Sequence, residues 1–404
     1  MIVDDVGYFA EPFFSDSMIA QAVDIVAGDG VPYYSSAGNQ ARNSYESAFR
    51  GIDVLVNAGK NLNGGKAVVR RFHNFGTAQA PSILQPVFLA PTAEAGFTIF
   101  SFQWDQPHIR ATTYARLKAG DDPALAVGAE SDLDLVFFDY KRHVVPLCPP
   151  GVAQLFFIGI VHNAGPDPGV VKHIWFDLLG VFGLLDFVTH SGMSSGHSNA
   201  AGAQSIGAAS WYVTEPFSTS GEVPPNDTAL TPPIDLSPCA PACLNDFSSA
   251  GGIPIYFDRF GNRLAEPEVR LVPSVTGPDG GNTSFFFSDS TYDDDDGDGR
   301  NSPFSLFITQ ELDQPGDEFP NFFGTSASAP HVAGVAALML EKKSDLTVEE
   351  MRGILQDTAR PISLRFTSAR PTVTNAIPGI VDGYSFDAGF GLVDAAAALE
   401  AVGD

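Results

Sequence analysis

An apolar start (Ile2, Val3 and Val6) and a second strand pattern over Val31 to Ser35 flank one helical pattern, and no other feature constrains the fold of this chain as tightly. Between them Met18, Ile19, Ala22, Val23 and Val26 recur at helical spacing from about Ser17, until Gly28-Asp29-Gly30 stops the helix. Two strands joined through a helix run parallel, and the crossover between them is right-handed. An open α/β class follows. The last third returns to the same texture: Gly202 to Ala209 reads as a small-residue strand and Ser326 to Lys342 as a helix with Pro330 in its first turn. Thr347-Val348-Glu349-Glu350 is a capping box opening another helix, and an Ala-rich helix runs from Val393 to about Val402.

The zone between has a different texture. Phe100, Phe102 and Trp104 alternate with Ser101 and Gln103, which is strand periodicity. Leu133 to Phe138, Leu155 to Val161 and Val170 to Phe176 are further β-rich runs separated by Gly, Pro and Asp turns, and helical patterning is scarce. The chain therefore divides into a first core part over 1–50, an inserted antiparallel β-sandwich over 51–185, and a second core part over 186–404. Within the last, Pro224 to Asn321 reads as a loop-rich span.

Charge narrows the partners. Against 22 Lys+Arg stand 48 Asp+Glu, a net charge of -26 that repels phosphate backbones, so no nucleic acid is expected. Apolar runs such as Val181 to Leu185 and Val335 to Leu340 are too short to cross a bilayer. Cys148, Cys239 and Cys243 allow one bridge and a leftover thiol, and the Cys239-x-x-x-Cys243 spacing lacks the further ligands of a zinc site. Asp294, Asp296 and Asp298, followed by Gly299, alternate as in a calcium loop, although Ser305 stands where such a loop ends on Glu. A structural calcium there is an expectation set against a plainly solvated acidic loop.

Chemistry concentrates in Gly324-Thr325-Ser326-Ala327-Ser328-Ala329-Pro330-His331-Val332-Ala333-Gly334. It sets a serine at a helix start, where free N–H groups and the helix dipole favour a negative oxygen. Ala327, Ala329, Ala333 and Gly334 let that helix lie close on a sheet. Alone, a serine in this place is an ordinary N-cap.

The whole stretch resembles the nucleophile motif of the subtilase serine peptidases, Gly-Thr-Ser-x-Ser/Ala-x-Pro-His-x-Ala-Gly, at every fixed position. Val31 to Asn39, ending Ser35-Ser36-Ala37-Gly38-Asn39, is similar to the family segment ending Ala-Ala-Gly-Asn, and Met1 to Tyr8 to the substrate-flanking strand before it. Gly196 to Ala209, Asp246 to Gly251, Val275 to Gly280 and Gly389 to Ala396 resemble further family segments, so the likeness covers 1–50 and about 186–404. It implies a subtilisin-like parallel sheet with helices on both faces. Ser326 would be the nucleophile and Asn39 the side-chain donor of the oxyanion hole. Asp5, Val6 and Gly7 would flank a protein or peptide substrate on one side and Ser36, Ala37 and Gly38 on the other, with Asp5 favouring basic or polar side chains. No cofactor is required for such chemistry.

The family's Asp-Ser/Thr-Gly and His-Gly-Thr-His segments, which carry the orienting group and the base, have no counterpart in these residues. Ile2 to Tyr8 and Pro320 to Ser326 resemble a group intermediate between subtilases and sedolisins, relatives that use Ser with Glu and Asp, but an aspartate fills the sedolisin oxyanion role where this chain has Asn39. His331, five positions after Ser326, is turned roughly 140° past a full helical turn from it and is expected to pack elsewhere. The base is expected upstream of Met1, whose flanking Ile2-Val3-Asp4-Asp5 is no signal peptide. Two readings follow: a secreted endopeptidase of the cell exterior or envelope, or a pseudopeptidase that binds peptides or acts structurally. An in-frame upstream sequence carrying the missing segments would separate them. Oligomeric state is not legible.

Overall fold

The computed structural model describes residues 1–57, 67–89, 98–139, 141, 154–177, 182–214, 242–284, 321–364 and 383–403. Strand β1 (Ile2–Asp4) leads through helix α1 (Met18–Gly28) to β2 (Tyr33–Ser36), and the two strands pair in parallel with Val3 opposite Tyr34 and Asp4 opposite Ser35. The Ser17 side chain caps α1 by accepting from the Ala20 N–H, at the start that the helical spacing indicates. Alternation along β2 sorts the sheet into two faces. Tyr33 packs with Ala20 and Val23 of α1, so Tyr34 and Ser36 look to the other side.

Antiparallel pairing then begins at β3 (Ser44–Ala48), ahead of the boundary expected at residue 51. There follow β4 (Gly51–Asn57), β5 (Ala67–His73), β6 (Gln85–Leu89), β7 (Ile99–Trp104), α2 (Ile109–Ala119), β8 (Asp132–Phe138), β9 (Gln154–Ala164), β10 (Val170–Phe176) and β11 (Phe182–Leu184). They form one sheet ordered β3-β10-β7 and another ordered β11-β6-β9-β5-β4, with β8 also paired to β9. Tyr45, Val87, Leu133, Phe156, Ile158, Ile160 and Val171 make the core, against which Phe100, Phe102 and Trp104 pack. Burial pushes His73 and His173 down to about 3, so both lie neutral in this part of the molecule. Helix α2 departs from the expectation of scarce helix. Its buried face is Ala111, Thr112 and Ala115, which leaves no apolar periodicity to read.

Past these strands come β12 (Ala203–Ser210), the hairpin β13 (Pro254–Phe257) and β14 (Arg263–Val269), then β15 (Val275–Asp279), β16 (Gly281–Asn282) and β17 (Asn321–Phe322). The hairpin lies inside the span read as loop, and Cys243, also there, is disulfide-bonded. Cys148 and Cys239 fall outside the described residues. The parallel sheet is ordered β1-β2-β12-β15. Helix α3 (Thr325–Lys342) lies on the Tyr34 face, where Ile206 and Val275 meet Ala329, Val332, Ala333 and Ala336. A side-chain carbon on Gly277 of β15 would stand 2.8 Å from the Ser328 carbonyl oxygen, so the approach of strand and helix requires glycine. α4 (Val348–Asp357) carries the capping box in full, and α5 (Ala395–Ala401) ends the core. Pro330 corrects one expectation. With the helix starting at Thr325, Pro330 stands in the second turn, and its ring has no N–H to give the Ser326 carbonyl.

On the α1 face, His197 joins two carboxylates distant in sequence. Its Nδ1 lies 2.7 Å from Glu11 Oε2 and its Nε2 3.2 Å from Asp4 Oδ2, while Ser35 Oγ donates to Asp4 at 2.8 Å and Tyr33 donates to the same carboxylate. Burial opposes the imidazolium, but the hydrogen bonds and charges of Asp4 and Glu11 outweigh it and push His197 up to about 9. Because that value is raised above the unfolded one of about 6.5, the stabilisation is complete below pH ~6.5 and disappears as pH climbs through 9. The melting temperature should therefore fall between those limits, by an amount equivalent to about 3 kcal/mol. His197→Gln should be less stable at pH 6 and flat across the window; a wild-type melting curve insensitive to pH there would sink the assignment.

Candidate active site

All four strands of the parallel sheet end on the same side, where open α/β sheets form their crevices. Four chain segments meet there: Asp5 just after β1, Ser36 to Asn39 from the end of β2, Ser210 at the end of β12, and Asp279 at the end of β15. Helix α3 begins above them.

The loop at Asn39 is clamped before any substrate is considered. Ala37 N–H donates to the Ile206 carbonyl at 3.0 Å, Gly38 N–H to Thr325 Oγ1 at 3.1 Å, and Ser249 N–H to the Gly38 carbonyl at 2.8 Å. Ser198 Oγ donates to the Ser36 carbonyl at 2.8 Å. Most of the 36–38 backbone is thus committed inside the protein. Ser249 and its neighbours belong to the Asp246 to Gly251 turn singled out in the sequence; Gly38, at φ +100°, passes so close that a side-chain carbon would meet Ser249 Oγ at 2.9 Å.

The first turn of α3 spends its N–H groups in order. Gly324 N–H donates to Asp279 Oδ2 at 2.7 Å, and Thr325 N–H to Asn39 Oδ1 at 2.9 Å. The Ser326 N–H is next in the series and has no carbonyl of a preceding turn to bond. Thr325 Oγ1 also donates to Asn39 Oδ1, at 2.9 Å. With its oxygen doubly engaged, the Asn39 amide is fixed with Nδ2 turned toward α3, an orientation set by the network of partners.

A carbon built on Gly324 would lie 3.2 Å from Asn39 Nδ2 and 3.6 Å from both Ser326 N and Ser326 Oγ. One hydroxyl and two N–H donors therefore border a single small space, kept empty because residue 324 has no side chain. This is the geometry that acyl transfer needs: a nucleophile beside a pair of donors for the oxygen that becomes negative. Ser326 and Asn39, 287 residues apart by their numbers, are brought together as the sequence implies.

Asp5 sits closer to the chemistry than a substrate-flanking role requires. Its carboxylate stands near the Ser326 and Ser36 hydroxyls, whose dipoles favour its ionised form. It reaches solvent at its edge, yet crowding by the protein holds it above the ordinary carboxylate range, against the opposing pull of those two hydroxyls. Val6 and Gly7 continue from it as exposed chain, with open space where a side chain on Gly7 would stand. His197 is on the opposite sheet face, because Asp4 and Asp5 alternate and only Asp5 looks toward α3. His331 is exposed rather than packed, with Nδ1 2.7 Å from the Ala327 carbonyl oxygen of its own helix.

Sequence reasoning missed Asp279. It is buried, with Asn245 Nδ2 donating to Oδ1 at 2.9 Å and to Oδ2 at 3.0 Å. Burial pushes it up to about 7 although the Gly324 N–H, Asn245 and Ser210 all favour its ionised form. An aspartate directly after Gly277-Pro278, at the end of a buried strand, was the available signal. Asp294, Asp296 and Asp298 lie outside the described residues, and among the described residues no group of three His, Cys, Asp or Glu side chains is placed to hold a metal. No described helix is long and apolar enough to cross a membrane.

Residues 279–391 match the Subtilase family. Subtilisin-like protease SBT2.6 of Arabidopsis thaliana is 31% identical over 166 residues, which is 39% of this chain and 20% of that protein. Proprotein convertase subtilisin/kexin type 6 of Homo sapiens is 42% identical over 74 residues, 18% of this chain and 7% of that one. The chain thus spans a fifth or less of the length of these relatives. Among solved structures, the CspB protease of Clostridium perfringens aligns with 99% of this chain and 66% of its own at a TM-score of 0.42 and 12% identity. Fervidolysin from Fervidobacterium pennivorans, a keratinolytic enzyme related to subtilisin, aligns with 22% of this chain and 10% of its own at a TM-score of 0.16 and 31% identity.

Proposed function

We propose that this chain, a member of the subtilase family through residues 279–391, is part of a serine endopeptidase. The observation that carries the reading is the space beside Gly324, bordered by Ser326 Oγ, Ser326 N and Asn39 Nδ2. In this reading Ser326 Oγ attacks the scissile carbonyl, the two N–H donors take the oxyanion, and collapse expels the amine and leaves an acyl-enzyme that water resolves. Asp5, near the nucleophile, adds a negative charge at the mouth of the cleft. The base is supplied by a segment preceding Met1, and Asp5 to Gly7 and Ser36 to Gly38 line the substrate. Secretion and a structural calcium at Asp294, Asp296 and Asp298 belong to the same proposal; loss of calcium-binding heat in Asp296→Ala would support the latter.

A fluorophosphonate probe tests the enzyme reading. It is expected to label Ser326 in the chain extended upstream through its base, to leave Ser326→Ala unlabelled, and to react only feebly with the 404-residue chain. An extended, folded chain that resists the probe would overturn the reading and favour the peptide-binding pseudopeptidase.

A further inference from the structure

We propose that Asp279 is a positioning residue for the nucleophile: its carboxylate, clamped by Asn245, holds the Gly324 N–H and thereby sets the turn that presents Ser326. The proposal rests on the reading of Ser326 as nucleophile. Gly324 has φ +131° and ψ 159°, a conformation that glycine tolerates and that its own sterics do not enforce. Something external has to hold it. Two hydrogen bonds do, Gly324 N–H to Asp279 at 2.7 Å and Thr325 N–H to Asn39 at 2.9 Å.

The clamp is built into the sheet. Asp279 ends β15 and Ser210 ends the adjacent β12, and Asn245 spans them. The Asn245 amide donates to both Asp279 oxygens, while its Oδ1 accepts from Ser210 N at 3.1 Å and Ser210 Oγ at 2.9 Å. Asn245 N–H is in turn pinned to the Ala208 carbonyl at 2.9 Å. A second tie runs parallel, with Gly280 N–H donating to the Phe322 carbonyl at 2.7 Å and Asn321 Nδ2 to the Gly280 carbonyl at 2.9 Å. Asp279, Ser210 and Asn321 are all buried, so water does not substitute for a lost partner.

Residue 279 needs two acceptor oxygens, one for Gly324 and one for Asn245. A carboxylate has them and an amide has one. Asp279→Asn therefore turns an NH2 toward one of these donors, with no change of size. Exchanging the pair, Asp279→Asn with Asn245→Asp, restores the pattern. The amide oxygen then at position 279 accepts from Gly324, its NH2 donates to the carboxylate then at position 245, and that carboxylate still accepts from Ser210.

Two readouts test this. Hydrogen exchange on the 404-residue chain follows the Gly324 amide without requiring activity; it should speed up about 10- to 100-fold in Asp279→Asn and return to the wild-type rate in the exchanged pair. In the upstream-extended chain, kcat for a peptide amide should fall about 10- to 100-fold in Asp279→Asn at unchanged KM and recover to within about threefold in the exchanged pair. Wild-type exchange at Gly324 in Asp279→Asn, or failure of the exchanged pair to restore it, would overturn the proposal, and the pair serves also if the single variant does not fold. Normal exchange changes in a chain whose Ser326 resists fluorophosphonate would uphold the clamp and sink the peptidase reading instead.

Discussion

Asn39→Ala should slow acylation of Ser326 by about 10²–10³-fold while leaving peptide affinity nearly unchanged, a magnitude taken over from the equivalent substitution in a subtilisin. The split follows from where the two ends of the amide point. Oδ1 is spent on Thr325 N and Oγ1, at 2.9 Å each, and only Nδ2 faces the space beside Ser326. That donor acts on an oxygen that becomes negative in the transition state, so its loss registers in kcat more than in KM. Asn39→Asp sharpens the test. It keeps both bonds from Thr325 but sets a carboxylate oxygen where the donor was, so at neutral pH it should be slower than the alanine variant. As pH falls through the new carboxyl's range, a protonated O–H can donate again and the gap should narrow. Second-order labelling rates with a fluorophosphonate across pH measure both effects, and an Asn39→Asp variant as fast as wild type at neutral pH would remove Asn39 from the oxyanion hole.

The sequence made the frame of this site legible, since it depends on short-range signals. The helix start near Ser17, the Thr347–Glu350 box and the alternation of Phe100, Phe102 and Trp104 are all local, and each stands where its pattern puts it. Ser326 and Asn39 were legible because each closes a dense local motif. What escaped was of two kinds. Helix α2 and the β13–β14 hairpin have faces too small or too irregular to print a period; α2 buries alanine and threonine, and the hairpin register shifts between Ile255 and Phe257. The other omissions are pairings across the chain. His197 meets Glu11 across 186 positions, and Asp279 meets Gly324 across 45, with no spacing rule to announce either. Asp5 belongs to the same class: its place after a strand is local information, but its nearness to Ser326 exists only after the sheet is closed. The two sheet faces, once known, also dispose of His197 as a base, which composition and motif alone could not do.

Gly324→Ala should slow acylation of Ser326 about 10³-fold or more with little change in the helix that follows. Two costs coincide at this residue. At φ +131° an alanine is strained by roughly 1–3 kcal/mol, which the turn relieves by moving. If it does not move, the methyl lies 3.2 Å from Asn39 Nδ2 and 3.6 Å from Ser326 N and Oγ, in the volume where the oxyanion must form. Either way the nucleophile and its donors lose their common target, and a displacement of an ångström suffices to cost about 10²-fold. Gly334 supplies the control. It lies in the middle of the same helix with no atom within 4 Å of the added carbon, so Gly334→Ala should stabilise the protein by about 0.5–1 kcal/mol and leave labelling of Ser326 untouched. Thermal melts and probe kinetics on the two variants together decide the matter. A Gly324→Ala chain labelled at the wild-type rate would mean that the reacting carbonyl binds somewhere other than the space between Ser326 and Asn39.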